Sequence, residues 1–522
     1  MKLERLHLPA FKNLRGLTLD FSTGEDVTVI VGRNGAGKSN VLEALTVIFR
    51  DLDLGERPSF PFQIEYLCRG HRIAIDADPS RVTRRVRVTV DGEAVPAKRL
   101  TDDPDGRRPL LPSFVFGYYS GPTARLEDHF RTHQRNFYRA LLRGDDTATR
   151  RLFYARPVHS QFALLSLFLH RNDHMLRFLH DELWIENLES VLFVMREPSW
   201  SKSATGGDER FWHARGAVRR LLDSLYRLAL APMRRPEHIP SEFGSGSNPE
   251  HLYLYLDTPA KLRALADEYA DERAFFKDLE STYISELLRE VRIRVRTRHI
   301  DGAITFRELS EGEQQLLMVL GLLRFTHEDE ALFLLDEPDT HLNPAWSQRY
   351  LQLLREVGGM SGTSHVVMAT HDPLVVSSLT KEQVRILYRD EESGRIQAEQ
   401  PRDDPRGMGV AGLLTSDVYG LRSQLDLHTL GLLERQRELA ARVHLDDAAS
   451  RDLERISEQV HRLGFTRATR DPEYELFLNA IADWRREKGW DDLTVLTPEQ
   501  KQREAEAAWR ILARLKIGES AQ

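Results

Sequence analysis

Gly32-Arg33-Asn34-Gly35-Ala36-Gly37-Lys38-Ser39 fits the phosphate-cradling pattern G-x-x-x-x-G-K-S without a mismatch. The run Val27 to Val31 before it is apolar and rich in β-branched residues, which suits a strand buried on both faces. After it, Val41, Leu42, Leu45, Val47 and Ile48 recur at helical spacings. The loop therefore stands where strand hands over to helix. Its glycines let several backbone N–H groups and the positive end of the helix face one anion. In that setting Lys38 would reach the β and γ phosphates of a nucleotide, and the Ser39 hydroxyl would bind magnesium. A glycine-rich turn without a ligand is the competing reading.

The chain has 522 residues, long enough for about three domains. Its 73 basic and 80 acidic residues leave a net charge of −7, which argues against a globally basic nucleic-acid binder but leaves room for local basic patches. One cysteine, Cys68, excludes an intramolecular disulfide and fits a reducing compartment. The opening MKLERLHLPAFKNLRGL lacks the apolar core of a signal peptide, and no apolar run reaches the roughly 18 residues of a bilayer span. A soluble, cytoplasmic protein without a membrane partner is expected.

Taken in order, residues 1 to 21 read as two short strands, Leu3 to Leu8 and Leu17 to Phe21, around Phe11-Lys12-Asn13-Leu14. Phe11 has two readings, a stacking partner for adenine or a core aromatic at a hairpin. The pattern loosens from Arg50 to Ile73, and Asp51-Leu52-Asp53 reads as a turn after the helix more readily than as a metal pair. Arg81 to Val90 alternates as a half-exposed strand before a turn at Asp91-Gly92. Asp102 to Arg108 is charged and turn-rich, and Phe114 to Tyr119 returns to strand character. From about Leu126 to Glu290 the periodicity is helical, as in Leu164, Leu165, Leu167 and Phe168 and in Val218, Leu221, Leu222 and Leu225. Two Ser- and Gly-rich stretches, Ser199 to Asp208 and Ser241 to Asn248, punctuate it.

A second set of motifs begins at Leu309-Ser310-Glu311-Gly312-Glu313-Gln314, followed by an apolar helix, and resembles the signature of ABC-type ATPases. Ser310 and Glu313 also have the S-x-x-E spacing of a capping box. Ala331 to Pro338 then reads as an apolar strand ending in two carboxylates. Asp336 suits a magnesium role, and Glu337 is placed to orient or deprotonate an attacking water. Asp339-Thr340-His341-Leu342 follows, and the strand His365 to Ala369 runs into Thr370-His371-Asp372, where His371 would hydrogen-bond a γ phosphate.

Together these residues resemble RecF and SMC-like ABC ATPases, in two blocks covering about half the chain. The resemblance implies an α/β fold: a P-loop ABC-type ATPase head split by an inserted helical lobe, with a helical C-terminal extension. The expected domains are residues 1–125, the first half of the head; 126–290, the lobe; 291–400, the second half of the head; and 401–522, a helical region for partner docking or oligomerisation. The implied cofactors are ATP and Mg2+. Catalysis falls to Glu337, Lys38 and His371, and the metal to Ser39 and Asp336. Nucleotide contacts fall to Phe11, Lys12, Asn13, Arg33, Asn34, Gly35, Ala36, Gly37, Lys38, Ser39 and Asn40, with Ser310, Gly312 and Glu313 completing the site of an opposite subunit in an ATP-sandwich homodimer. For the glutamine that couples nucleotide to the lobe, Gln161 is the candidate and Gln63 its rival.

Tyr118-Tyr119-Ser120-Gly121, Glu197-Pro198-Ser199-Trp200 and Leu413 to Leu421 resemble the ATPase subunits of the Septu and retron anti-phage systems. That resemblance implies a separate HNH nuclease subunit as partner and contact with nucleic acid through the complex. A RecF-like DNA-repair ATPase that binds DNA directly is the alternative, and a transporter ATPase fits the FKNL opening and long insertion poorly. In the C-terminal region, Leu453, Ile456, Val460 and Leu463 form one apolar stripe and Tyr474, Phe477, Leu478, Ile481 and Trp484 another. The pairs Arg437/His444 and Arg455/His461 match a loose ribonuclease spacing that recurs by chance in Arg-rich helices.

Overall fold

The apolar runs VTVIVG, FVFGYY, ALFLLD and HVVMA become parallel strands whose residues are almost all buried, as expected of a sheet covered on both faces. The sheet runs Val27–Gly32, His365–Ala369, Ala331–Asp336, Phe114–Tyr119, Leu152–Tyr154, each pair parallel. In register, Asp336 lies opposite Ala369 on one side and Tyr119 on the other. Phosphate loop, carboxylates and histidine therefore follow the carboxyl ends of neighbouring strands, where open α/β sheets place ligands.

The computed structural model describes residues 1–21, 24–101, 109–145, 150–169, 173–241, 244–298, 303–325, 330–359, 362–442, 444–463, 472–490 and 496–519. They fall into two units, Met1–Ile30 with Gly37–Ser378, and Val31–Ala36 with Leu379–Gln522. The charged stretch 102–108 lies outside the described residues.

In the first unit the chain opens with a six-stranded antiparallel sheet, ordered Leu14–Asp20, Lys2–Phe11, Phe62–Cys68, His71–Ala77, Val86–Val90, Glu93–Val95. Two of these strands lie in the stretch where the pattern loosens. The alternation from Arg81 predicts a longer strand than forms: pairing starts at Val86, because Arg84 takes a left-handed φ of 51° and Arg81 folds back onto Asp76. The turn at Asp91-Gly92 does form, both residues at positive φ. Helix Lys38–Leu54 contains Asp51 and Asp53 in its last turn and closes at Gly55, which is left-handed. Asp51 accepts from Arg50 and Ser59, and Asp53 faces His133 at 2.8 Å, so both carboxylates are committed to neighbours.

The expected helical lobe over 126–290 holds strands as well as helices. Helices are present, including Arg131–Arg143, Val158–Leu169, Gly216–Leu228 and Glu272–Ile284. They share the region with an antiparallel sheet ordered Met233–Pro236, Glu250–Leu256, Ile185–Arg196, Leu288–Thr297, Ala303–Thr305. The physical cause is visible in EHLYLYL and LREVRIRVRT, whose two-residue alternation buries one face of each strand. Strand Leu152–Tyr154 belongs to the parallel sheet, so that sheet continues past residue 126.

The second unit holds the hairpin Val384–Arg389 with Ile396–Glu399 and helices including Gly409–Thr415, Leu427–Ala440, Asp447–Arg462 and Pro498–Glu519. Ile456 and Val460 bury against Leu439, whereas Leu463 is exposed. Of the second stripe, the side chains of Tyr474 and Leu478 lie outside the described residues; Phe477 is half-buried, Ile481 is buried, and Trp484 meets Trp490 edge-on at 5.2 Å. Arg455 bonds Asp452 on the surface and His461 is exposed. The segment Leu413 to Leu421 is structural: Leu413 is fully buried, and Gly420 lies so close to Leu496 that an added Cβ would stand 1.9 Å from its carbonyl oxygen. Among the described residues no helix is long and apolar enough to cross a membrane.

Phe333, in the middle of the parallel sheet, stacks on Phe116 with centroids 4.8 Å apart and planes 8° off parallel. Phe333→Ala is expected to cost about 3–5 kcal/mol, read as a lower melting temperature and urea midpoint.

Candidate active site

Strand Val27–Gly32 ends in a turn in which the Ala36 N–H donates to the Arg33 carbonyl at 3.0 Å, leaving Arg33, Asn34 and Gly35 exposed. Gly35 and Gly37 take left-handed φ values of 82° and 91°. A Cβ on Gly37 would stand 2.6 Å from Leu14, so the loop enters its helix pressed against the Asn13-Leu14 turn. Asn40 donates to Asn13 at 2.5 Å.

Lys38, the first helical residue, is buried, and its ammonium donates to His371 Nε2 at 2.8 Å. Glu337 Oε1 lies 3.4 Å from the same nitrogen. Burial depresses the Lys38 pKa, while Glu337 and Asp336 oppose that shift. Burial also lowers the His371 pKa, helped by the Lys38 charge and opposed by Glu337. A neutral imidazole accepting from lysine follows.

Asp336 closes its strand 4% exposed, and burial pushes its carboxyl up to about 6, with a hydrogen bond from Ser39 pulling the other way and Glu337 adding repulsion. Among the described residues its Oδ1 is buried without a hydrogen-bond partner. A buried carboxylate oxygen beside a serine hydroxyl fits a divalent cation. Glu337 takes a left-handed φ of 52°, held by its N–H to the Ala369 carbonyl at 2.8 Å and by the Thr340 hydroxyl on its own carbonyl at 2.9 Å. Such a conformation costs a non-glycine residue about 1–2 kcal/mol and clusters at functional sites. Asp339, likewise buried and raised to about 6, accepts from Thr370, whose hydroxyl receives the Asp372 N–H.

The signature segment is held by its own contacts. Ser310 caps helix Glu311–Phe325: its hydroxyl accepts from the Glu313 N–H at 3.2 Å, and its own N–H donates to the Glu313 carboxylate at 2.6 Å. The capping box therefore forms. Gly312 needs to be glycine, since a Cβ would stand 2.3 Å from the His341 carbonyl oxygen, and Gln315 donates to the Pro338 carbonyl. Among the described residues no hydrogen bond or ion pair joins Ser310, Gly312 or Glu313 to Lys38, Ser39, Asp336 or His371.

Lys12 and Asn13 brace the helix. Lys12 binds both oxygens of Glu43 at 2.5 Å, alongside Arg125 and His129 at 2.9 Å each. Burial opposes ionisation of Glu43, yet these partners hold its carboxyl at about 2. Phe11 is half-buried and packs on Phe60 at 4.4 Å. Gln161 is half-buried on helix Val158–Leu169 without a hydrogen bond to the cluster among the described residues, and Gln63 sits exposed opposite His7 and Asp76 in the antiparallel sheet. Two residues at the site carry no sequence motif. Ser120 donates its N–H to the Asp336 carbonyl at 3.2 Å, and Arg125 adds positive potential at Asp336. Both follow strand Phe114–Tyr119, and the Tyr-Tyr-Ser-Gly segment was the one signal available.

Known proteins resemble the chain in part. An AAA ATPase domain matches residues 1–91, and an AAA domain described as putative AbiEii toxin, Type IV TA system, matches 207–377. The chain is 26% identical over 196 residues to a retron Vc95 probable ATPase of Vibrio cholerae serotype O1 biovar El Tor, covering 33% of this chain and 36% of that one. It is 28% identical over 131 residues to the Septu protein PtuA of Bacillus mycoides strain KBAB4, covering 24% and 18%. Two separate blocks of the chain thus match AAA-type ATPase domains, and the chain is similar in part to the retron and Septu proteins. These matches span about a third and a fifth of the relatives' lengths. Among solved structures, a SmcHead bound to the C-winged helix domain of ScpA aligns at 14% identity and TM-score 0.34 over 76% of this chain and 98% of that chain, a level at which the fold rests on the strand order instead.

The raised Asp336 pKa has a stability consequence. With a folded value of about 6 above an ordinary 3.8, ionisation disfavours the fold, so this penalty is absent at low pH and grows as pH rises through the interval. In the protein without nucleotide, Asp336→Asn is expected to add about 1–3 kcal/mol near neutral pH and nothing below about pH 4. Denaturant melts at the two pH values measure this, and a variant no more stable at neutral pH would exclude the buried-charge account.

Proposed function

We propose that this ATPase is the ATP-hydrolysing regulatory subunit of an anti-phage defence complex and controls an associated HNH nuclease. The observation that carries the ATP chemistry is the convergence of Lys38, His371 and Glu337, with Ser39 bonded to the buried Asp336. The defence role is supported by the names of the retron and Septu relatives, and the nuclease partner by the sequence resemblance. Lys38 holds the γ phosphate with its ammonium, and His371 donates to it once lysine has turned to the phosphate. Glu337 orients the attacking water and takes its proton. Ser39 and Asp336 would hold Mg2+, which would neutralise phosphate charge. The exposed loop residues Arg33 and Asn34 and the left-handed Gly35 and Gly37 present backbone N–H groups to the phosphates.

Ser310 serves the site of a second copy. Its place on a helix packed against His341, without a bond to the phosphate cluster among the described residues, supports a site divided between two chains. The second copy brings its own Lys38, so each dimer holds two such sites. Nucleic acid is reached through the complex.

Glu337→Gln is expected to bind ATP normally while turnover falls about 10²–10⁴-fold. Single-turnover hydrolysis with bound-nucleotide analysis measures it, and near-parental turnover would remove Glu337 from the water-activating role. Ser310→Arg and Lys38→Ala variants, each inactive alone, should regain about a quarter of parental turnover when mixed, because one site of each mixed dimer is intact. Native mass measurement verifies that mixed dimers form. Mixed dimers without activity would contradict the divided site. Copurification of a small HNH protein from the host tests the partner, whereas tight duplex binding by the isolated ATPase would favour the repair reading.

A further inference from the structure

Away from the phosphate loop, the first unit holds a cavity of about 580 Å³, within the range of small-molecule sites. Its wall carries five arginines from separate elements: Arg131 and Arg135 on helix Arg131–Arg143, Arg156 after strand Leu152–Tyr154, Arg196 ending strand Ile185–Arg196, and Arg289 on strand Leu288–Thr297. Only two carboxylates, Glu127 and Glu286, line the same wall. Glu127 pairs with Arg156 at 2.5 Å, while Glu286 accepts from the Ser199 hydroxyl at 2.9 Å and keeps its charge, which leaves two carboxylates against five guanidinium groups on the wall. Arg131 pairs with Asp128, and Arg289 meets His251 at 2.7 Å and Glu237 at 3.5 Å. Among the described residues Arg135 and Arg196 have no carboxylate within ion-pair distance, so the cavity presents net positive charge in a chain of net charge −7. Tyr138 and Tyr283 add aromatic surface to the same wall.

We propose that this cavity binds a nucleoside phosphate, with Arg135 and Arg196 on the phosphate and a tyrosine face available to the base. Guanidinium groups are suited to forked phosphate contacts, and stacking on tyrosine tolerates any base. The volume matches one nucleotide, which is either free or the terminus of a single strand. The site is separate from the phosphate loop and does not depend on the nuclease partnership proposed above.

The test uses the full chain and two fluorescent probes, thymidine monophosphate and a 5′-phosphorylated decathymidylate, followed by anisotropy at low salt. At least one probe is expected to bind, and to bind Lys38→Ala protein equally well. Binding of both identifies a free-nucleotide site, and binding of the decathymidylate alone identifies a strand terminus. The double variant Arg135→Glu, Arg196→Glu should weaken binding at least about ten-fold and flatten its salt dependence, with ATP hydrolysis reporting that the head is folded. Arg135 is exposed, so Arg135→Gln keeps the question open to measurement if the double variant fails to fold, with about three-fold weaker binding expected. No binding of either probe, loss of binding in Lys38→Ala, or unchanged affinity in Arg135→Gln overturns the proposal.

Discussion

The ammonium of Lys38 is held out of water at the carboxyl edge of a parallel sheet, and the groups around it answer that charge. His371 accepts from it as a neutral base, while Asp336 and Glu337 oppose the depression of its pKa. The arrangement depends on strand order: the histidine strand lies between the loop strand and the carboxylate strand, so three segments far apart in sequence end side by side. The left-handed Glu337 belongs to the same constraint, since the chain must turn sharply there to bring its side chain to His371 while its N–H bonds the Ala369 carbonyl.

Ser310 shows how one motif can satisfy two demands. Its capping box with Glu313 starts helix Glu311–Phe325, and Gly312 and Gln315 on that helix lock it to the His341 carbonyl and the Pro338 carbonyl beyond the carboxylates. The signature is thereby rigidly tied to the segment that follows Glu337. Structural and functional readings of such a motif are compatible, because a capped helix start is also where backbone donors and a serine hydroxyl collect.

Glu127, Arg156 and Tyr283 lie in the wall of the arginine-rich cavity and also in that of a second cavity of about 790 Å³ bordered by Tyr119, Ser120, Gly121, Glu311 and His341. The Glu127–Arg156 pair stands between the two, and Arg156 also bonds Gln134. The backbone N–H of Arg156 donates to His159, whose ring meets the fully buried Glu280 at 2.8 Å. Glu280 is also paired with the buried Arg150 at 2.9 Å, and losing that guanidinium would leave a buried carboxylate without a counter-charge.

The parallel core, the phosphate loop and the carboxylate–histidine set were legible in the sequence, because each is a local pattern whose period or spacing carries the physics. The capping reading of Ser310 was legible for the same reason. The strands at Phe62–Cys68 and His71–Ala77, and the sheet built from Glu250–Leu256 and Leu288–Thr297, were not, since short apolar runs fit helix and strand alike until a partner strand selects one. Gln161 shows the limit of motif order, which says nothing about where a side chain with no periodic role will lie. Ser120 and Arg125 reach Asp336 only because strand Phe114–Tyr119 pairs beside the carboxylate strand. The sequence by itself determined which groups can carry the phosphate chemistry. Tertiary structure decided which of them meet, because distance between residues hundreds of positions apart is set by strand order and packing, neither of which a local pattern contains.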